Sequence, residues 1–284
     1  MKKILLTGSS GYLGSKFIEL YGTKYEILGL SRSNEVHRVD LLDSECVIKI
    51  SADFKPDFIL HTAAMVGRDK GLEQIFDNHV GIMKTLIECA KQSGAKFIFT
   101  SSESLYGGKE NTGGYMENDL PRPRHKYGES KYECERLLQE SGITYLITRS
   151  GRFVGFNKNY DREKQFPDTL KVLLQGLPVK LDAEKLFSYT LIDHLADAIS
   201  NFVDYDSQNN RLLNVAAIQG STYFDLISKI AKALDIDSVL VQPGGSEENW
   251  LPNSTIDTSL SARLGYPTIT LSELVKIIAQ DYLE

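Results

Sequence analysis

Short unbroken apolar runs alternate with longer, amphipathic ones through the first half of the chain. Residues 3–7 read as a strand, followed after a glycine-rich turn by a helix through residue 20. Residues 25–30 and 58–62 read as the next two strands, and a long helical pattern over 74–92 stops at Ser93-Gly94. Another strand follows at 96–101, then a helix over 126–140 that leads into a strand at 143–149. Strands that are apolar on both faces and separated by helices predict a parallel sheet covered on both sides, an α/β doubly wound fold. Beyond Arg149 the alternation loosens. Helical patterns recur at 166–176, 192–203, 223–234 and 271–283, with one further strand at 211–215. The change divides the chain into a core over 1–152 and a smaller, mainly substrate-binding lobe over 153–284, of which roughly 189–216 packs back on the core. Ligands of such sheets lie beyond the carboxyl ends of the strands, where the strand order reverses.

Composition narrows the partners. Of 284 residues, 42% are hydrophobic and 25% charged, as in an ordinary globular protein, and the formal charge of -6 argues against non-specific binding to nucleic acid or an anionic membrane. No apolar run is long enough to span a bilayer, and Thr7-Gly8 ends the N-terminal apolar run too early for a signal peptide. Cys46, Cys89 and Cys134 form no CxxC pair, which suits reduced thiols in the cytoplasm. The five histidines show no HxxxH or HExxH spacing, so no metal site is expected. A homodimer is left open.

Gly8-Ser9-Ser10-Gly11-Tyr12-Leu13-Gly14 has the spacing GxxGxxG, directly after a strand and opening a helix. Glycines there let the backbone approach a pyrophosphate, while the helix start offers unpaired N–H groups and a positive dipole end. The alternative is an ordinary turn and helix start. Placement in the first βα unit favours the dinucleotide-binding, Rossmann-type reading, with Gly8, Ser10, Gly11, Tyr12, Leu13 and Gly14 around the cofactor. The second strand runs into Ser31-Arg32-Ser33, without the acidic side chain that holds the ribose of NAD. Arg32 pairing with a 2′-phosphate, helped by Ser31, favours NADP(H); NAD(H) stays open, as does a solvated arginine.

Tyr127 and Lys131 are four residues apart and share one helix face. An ammonium beside a phenol lowers its pKa and suits it to proton exchange near neutrality. The same spacing at Tyr12/Lys16 and Tyr160/Lys164 shows that spacing alone proves little. What sets Tyr127 apart is the strand ending in Ser101-Ser102-Glu103-Ser104, which exposes hydroxyls at the carboxyl edge of the sheet. Turn formation is the bland reading of those serines.

With these motifs in order, the chain resembles an extended short-chain dehydrogenase/reductase of the NAD-dependent epimerase/dehydratase superfamily over nearly its whole length. The resemblance extends to Asp40-Leu41, His61-Thr62-Ala63-Ala64, Asn78-His79-Val80-Gly81, Pro121 and Glu135. It implies that Ser102, Tyr127 and Lys131 are catalytic and that Tyr127 and Lys131 also border the cofactor. It further implies that Asp40 and Leu41 lie near the adenine, that Ala63 and Ala64 pass the cofactor, and that Asn78 supports the Tyr/Lys pair.

Within the superfamily the chain is most similar to the dTDP-4-dehydrorhamnose reductase group, on length and on Leu251-Pro252-Asn253-Ser254-Thr255-Ile256-Asp257, where Leu251 departs from that group's arginine. The adjacent Asp and Glu of sugar-nucleotide dehydratases are missing at Ser102-Glu103-Ser104, and the asparagine of 4-epimerases is missing after Arg149. The resemblance then implies NADPH-dependent reduction of a nucleotide-linked 4-keto-6-deoxy sugar. Glu103 contacts the sugar or is a solvated loop residue; Arg152 meets the diphosphate or forms a surface ion pair. An epimerase with tightly bound NAD(H) stays open. So does a non-catalytic NAD(P)-binding protein, in the manner of the regulatory subunit of methionine adenosyltransferase.

Overall fold

Alternate residues of a strand point to opposite faces, so a strand buried on both sides must be apolar throughout. The computed structural model describes residues 1–33, 38–64, 72–107, 112–159, 165–245 and 252–283. Its first half runs β1 (Lys3–Thr7), α1 (Tyr12–Tyr21), β2 (Glu26–Leu30), α2 (Ser44–Phe54), β3 (Phe58–His61), α3 (Leu72–Ser93), β4 (Lys96–Thr100), α4 (Lys126–Gln139) and β5 (Tyr145–Ser150). The second half adds β6 (Arg152–Val154), α5 (Gln165–Leu174), β7 (Val179–Asp182), β8 (Tyr189–Leu191), α6 (Ile192–Asn201) and β9 (Arg211–Val215). It closes with α7 (Tyr223–Ala233), β10 (Val241–Gly244), α8 (Ser259–Arg263) and α9 (Leu271–Leu283).

Six strands in the order β2-β1-β3-β4-β5-β9 form one parallel sheet. Ile4, Leu6, Leu60, Ile98, Leu146 and Leu213 pack with Leu13 and Phe17 of α1 and Leu195 and Ile199 of α6. Leu5, Ile59, Phe97, Phe99 and Ile147 pack instead with Val47 of α2, Met83 and Leu86 of α3, and Cys134 and Leu138 of α4. The result is a doubly wound, three-layer sandwich. Each fully buried side chain of this kind contributes roughly 1.5–3 kcal/mol, which holds the carboxyl edge of the sheet firmly. From β1 the chain steps outward to β2 and then back across to β3, so the strand order reverses between β1 and β3.

The later elements enclose a second core. Phe166 and Leu170 of α5, Leu226 and Ile230 of α7, and Leu274 and Ile278 of α9 meet there. The strands beside it are two parallel pairs, β6 with β8 and β7 with β10, which the apolar pattern does not predict. They are three or four residues long, too short to show a period, and β10 contains Pro243. Between these pieces the chain returns to the main sheet, β9 pairing with β5 from Leu146↔Arg211 to Ser150↔Val215.

Among the described residues no helix is long and apolar enough to cross a membrane. No group of three or more His, Cys, Asp or Glu side chains there is placed to hold a metal. The three cysteine thiols are free.

Candidate active site

The loop after β1 turns sharply because Gly8 adopts a φ of +77°, and its N–H bonds the Leu30 carbonyl at the end of β2 (2.8 Å). Two of its glycines leave no room for a side chain. A Cβ on Gly8 would lie 2.7 Å from the Ala63 nitrogen beyond β3, and one on Gly14 would run into the Gly8 carbonyl oxygen. α1 opens at Gly11 without a side-chain cap. The first N–H groups of a helix have no partner within it, so this end suits an anion. Tyr12 and Leu13 are buried, the Tyr12 hydroxyl donating to the Gly155 carbonyl oxygen, so their backbone N–H groups are what they offer a ligand. Asn157 holds the same turn from the other side, donating to the Tyr12 carbonyl at 2.6 Å and to Ser15 Oγ at 2.9 Å.

Ser10 Oγ and Ser33 Oγ share a 2.7 Å hydrogen bond that ties the glycine loop to the end of β2. Ser31 is buried there with its hydroxyl unpartnered among the described residues, Arg32 is exposed, and a backbone bridge pairs Ser31 with a second arginine, Arg38. Asp40 accepts locally from the Leu42 N–H at 3.1 Å, while Leu41 packs on the apolar layer behind. Ala63 and Ala64 extend past β3 at the reversal point.

Tyr127 and Lys131 stand one turn apart on α4. His125 caps that helix, its Nδ1 accepting from the Gly128 N–H at 3.1 Å. At Gly128 a Cβ would lie 2.5 Å from the Ser104 carbonyl oxygen, so the glycine lets α4 sit against the turn that follows β4. Lys131 is 3% exposed; its Nζ donates to the Thr100 carbonyl at 2.9 Å and lies 4.7 Å from the Phe99 ring centroid and 5.7 Å from that of Tyr127. Burial lowers this ammonium to about 8. Burial also pushes the Tyr127 phenol up to about 12. The lowering of the phenol expected from the Tyr/Lys spacing is therefore absent here: the ammonium is drawn to Thr100, and desolvation dominates. Ser102 Oγ accepts from the Ser104 N–H at 3.2 Å, which leaves its own proton available to donate.

Behind Tyr127 lies His79 of α3. Its ring meets the phenol edge-on, centroids 6.0 Å apart, and its Nδ1 is 2.8 Å from Ser130 Oγ. Because Ser130 donates to the Tyr127 carbonyl at 2.8 Å, Nδ1 of His79 is the donor in that pair. Burial holds this imidazole down at about 4, so it is neutral. Asn78 is half-buried, with its Oδ1 accepting from Gln74 at 2.9 Å.

Glu103 follows Ser102 directly and is 7% exposed, with Oε2 unpartnered among the described residues. Burial pushes its carboxyl up to about 8 against the pull of Arg152. Arg152 lies at the start of β6 with its guanidinium 3.5 Å from the Phe187 ring centroid. The hydroxyls of Ser101 and Ser104 are buried and unpartnered too. Glu135, one turn beyond Lys131, is locked into a buried ion pair with Arg149 at 2.7 Å. Arg149 also donates to the Tyr106 hydroxyl (2.7 Å) and the Glu117 carbonyl (3.0 Å).

A family model described as NAD dependent epimerase/dehydratase family matches residues 4–216. The chain belongs to the NAD dependent epimerase/dehydratase family. A dTDP-4-dehydrorhamnose reductase of Aggregatibacter actinomycetemcomitans is 29% identical over 166 residues, 56% of this chain and 55% of that protein. The chain thus spans about half the length of this curated relative. Methionine adenosyltransferase 2 subunit beta of Danio rerio is 31% identical over 287 residues, 93% of this chain and 85% of that one. Among solved structures, a dTDP-4-dehydrorhamnose reductase from Bacillus anthracis in complex with NADP superposes with a TM-score of 0.86 at 20% identity, covering 99% of this chain and 100% of the other. That likeness establishes the shared fold.

For a member of this family, sequence reasoning passes over four residues that the fold brings to the site: Arg38, His79, His125 and Asn157. His79 had a signal. It stands on the stripe of Ile82, Met83 and Leu86, at spacings of three, four and seven, where a polar side chain is out of place. The other three act through loops whose course no local pattern reveals. Leu251, where the chain departs from the reductase pattern, lies outside the described residues.

Proposed function

We propose that this chain is an NADPH-dependent reductase of a nucleotide-linked 4-keto-6-deoxy sugar. The observation that carries the reading is the bond from Lys131 to the Thr100 carbonyl at the end of β4, with Tyr127 one turn back on the same helix and Gly128 packed against the turn that follows Ser102. The Cβ-free approaches at Gly8 and Gly14 and the uncapped start of α1 at Gly11 fit a dinucleotide pyrophosphate. The unpartnered Ser31 hydroxyl with Arg32 and Arg38 fits a 2′-phosphate, which favours NADP(H) over NAD(H).

Bound NADPH supplies a hydride to the keto carbon. Ser102 donates to the keto oxygen and holds it in place. Tyr127, kept protonated by its high pKa, gives its proton to that oxygen as charge develops there. The Lys131 ammonium, fixed by Thr100, stabilises the phenolate left behind. Glu103 meets the sugar and Arg152 the diphosphate, with Asn78 supporting the pair on α4 from α3.

The test compares Tyr127→Phe with the wild type for NADPH oxidation on 4-keto sugar nucleotides. A loss of roughly 10²–10⁴-fold with NADPH affinity retained supports the assignment. Undiminished turnover removes Tyr127 as proton donor. The long match to methionine adenosyltransferase 2 subunit beta favours a second reading, a dinucleotide-binding protein without turnover. Wild-type protein that binds NADP(H) but reduces no nucleotide sugar supports that one. Co-purified NAD(H) with no net NADPH consumption points instead to an epimerase.

A further inference from the structure

Building on the reductase reading, we propose that Glu103 reads its substrate as a neutral acid, donating its carboxyl proton to a hydroxyl of the sugar ring, and that loss of this proton weakens the binding of the anionic nucleotide sugar. The argument begins with position. Glu103 follows Ser102 at the carboxyl end of β4, and Arg152, which the reductase reading gives to the diphosphate, acts on its carboxyl from β6. The side chain is more than nine-tenths buried, yet Oε2 has no partner among the described residues, and the hydroxyls of Ser101 and Ser104 share that condition. Buried polar atoms in native proteins are nearly always paired, so a cluster of orphans at a strand end marks where a polar ligand completes the hydrogen bonding.

The charge that acts on the Glu103 carboxyl is that of Arg152. Arg152 faces Glu103 from β6, and Tyr189, itself raised by burial, senses it from β8. On α4, packed against the same turn, the titratable groups nearest the site are Tyr127 and Lys131; Arg122 meets the turn through its backbone N–H, bonded to Leu105. Arg152 does not offset the desolvation of the carboxylate, and the group stays protonated up to a pH of about 8. Once ionised, Glu103 would compete with a diphosphate for the Arg152 guanidinium and repel the ligand's own charge. The acid is thus a donor when neutral and a barrier when charged.

The experiment titrates dTDP-glucose and UDP-glucose, which carry no keto group, into the NADP⁺-bound wild type and Glu103→Gln by calorimetry between pH 6.5 and 9.5. Wild-type affinity should fall by up to about tenfold per pH unit above the Glu103 titration beyond any loss shared with Glu103→Gln, which keeps a donor and cannot ionise and so reports the change from Lys131 alone. Parallel pH curves for the two proteins overturn the inference. Absence of nucleotide-sugar binding by the wild type at every pH overturns the functional reading instead, which the NADPH oxidation assay tests independently. Should Glu103→Gln fail to fold, carboxyl-labelled glutamate in the wild type gives the answer by NMR. A resonance titrating near 8 that moves upward with bound sugar nucleotide sustains the inference; titration of every glutamate below pH 6 overturns it.

Discussion

Lys131 donates to the Thr100 carbonyl oxygen at 2.9 Å, so a positive charge is fixed inside the protein at the end of β4. Burial lowers its pKa from 10.5 to about 8. The unfolded chain keeps that proton up to 10.5, so below 8 the folded state carries the whole cost of the buried charge. The cost disappears as pH rises from 8 to 10.5. Lys131→Met should therefore be more stable than the wild type near pH 7, by about 1–3 kcal/mol after allowing for the lost bond to Thr100. The advantage should shrink through pH 8–10.5, and turnover should be lost throughout. Urea unfolding at pH 7, 8.5 and 10 reads the trend; a gap that widens with pH contradicts it.

Two glycines make opposite forecasts. Gly14→Ala drives a Cβ into the Gly8 carbonyl oxygen and should cost about 2–4 kcal/mol, with at least tenfold weaker NADP⁺ binding. Gly81 lies within α3 with open space around the Cβ direction, so Gly81→Ala should gain about 0.5–1 kcal/mol. Thermal melts and cofactor titrations of the two variants separate a glycine that is needed from one that is tolerated.

The buried Arg149–Glu135 pair anchors α4 to β5. Removing only Arg149, as in Arg149→Met, strands a carboxylate in the interior and should cost about 3–5 kcal/mol. Replacing both partners, with Glu135→Leu added, should recover a large part of that loss. A double-mutant cycle in urea measures the coupling, and additive losses would show that the two side chains act separately.

Arg32 follows the buried Ser31 in sequence, and Arg38 pairs with Ser31 through the backbone. Arg32→Ala should raise the Kd for NADPH by roughly 10–100-fold while leaving that for NADH nearly unchanged, and Arg38→Ala should act in the same direction. Fluorescence titration with both cofactors decides it. Equal weakening toward the two would assign these arginines to general surface charge.

The parallel sheet is legible in the sequence because its strands must be apolar on both faces: the expected 3–7 and 211–215 coincide with β1 and β9, and 58–62 overruns β3 by one residue. α9 is equally plain at 271–283. The paired strands β6–β8 and β7–β10 are not, since three or four residues cannot establish a period. The candidate site divides in the same way. Glycine spacing and the Tyr127/Lys131 register are local and readable. The binding of Lys131 by Thr100 arises only when distant segments meet, and the pairing of Arg38 with Ser31 depends on the course of the loop between them. Burial is the least readable quantity, and it is what sets the protonation of Glu103, Tyr127 and Lys131.

Tyr12 reaches from the glycine loop to the Gly155 carbonyl just past β6, and Asn157 reaches back to the carbonyl of Tyr12. The two halves of the chain are therefore not interchangeable modules. A graft that exchanged the C-terminal lobe for that of a relative would cut this clasp, unless it also carried across the glycine at 155, which adopts a φ of +126°, and the asparagine two residues on. Under the proposed function, substrate range is accordingly easier to alter by point changes around Glu103 and Arg152 than by swapping whole segments.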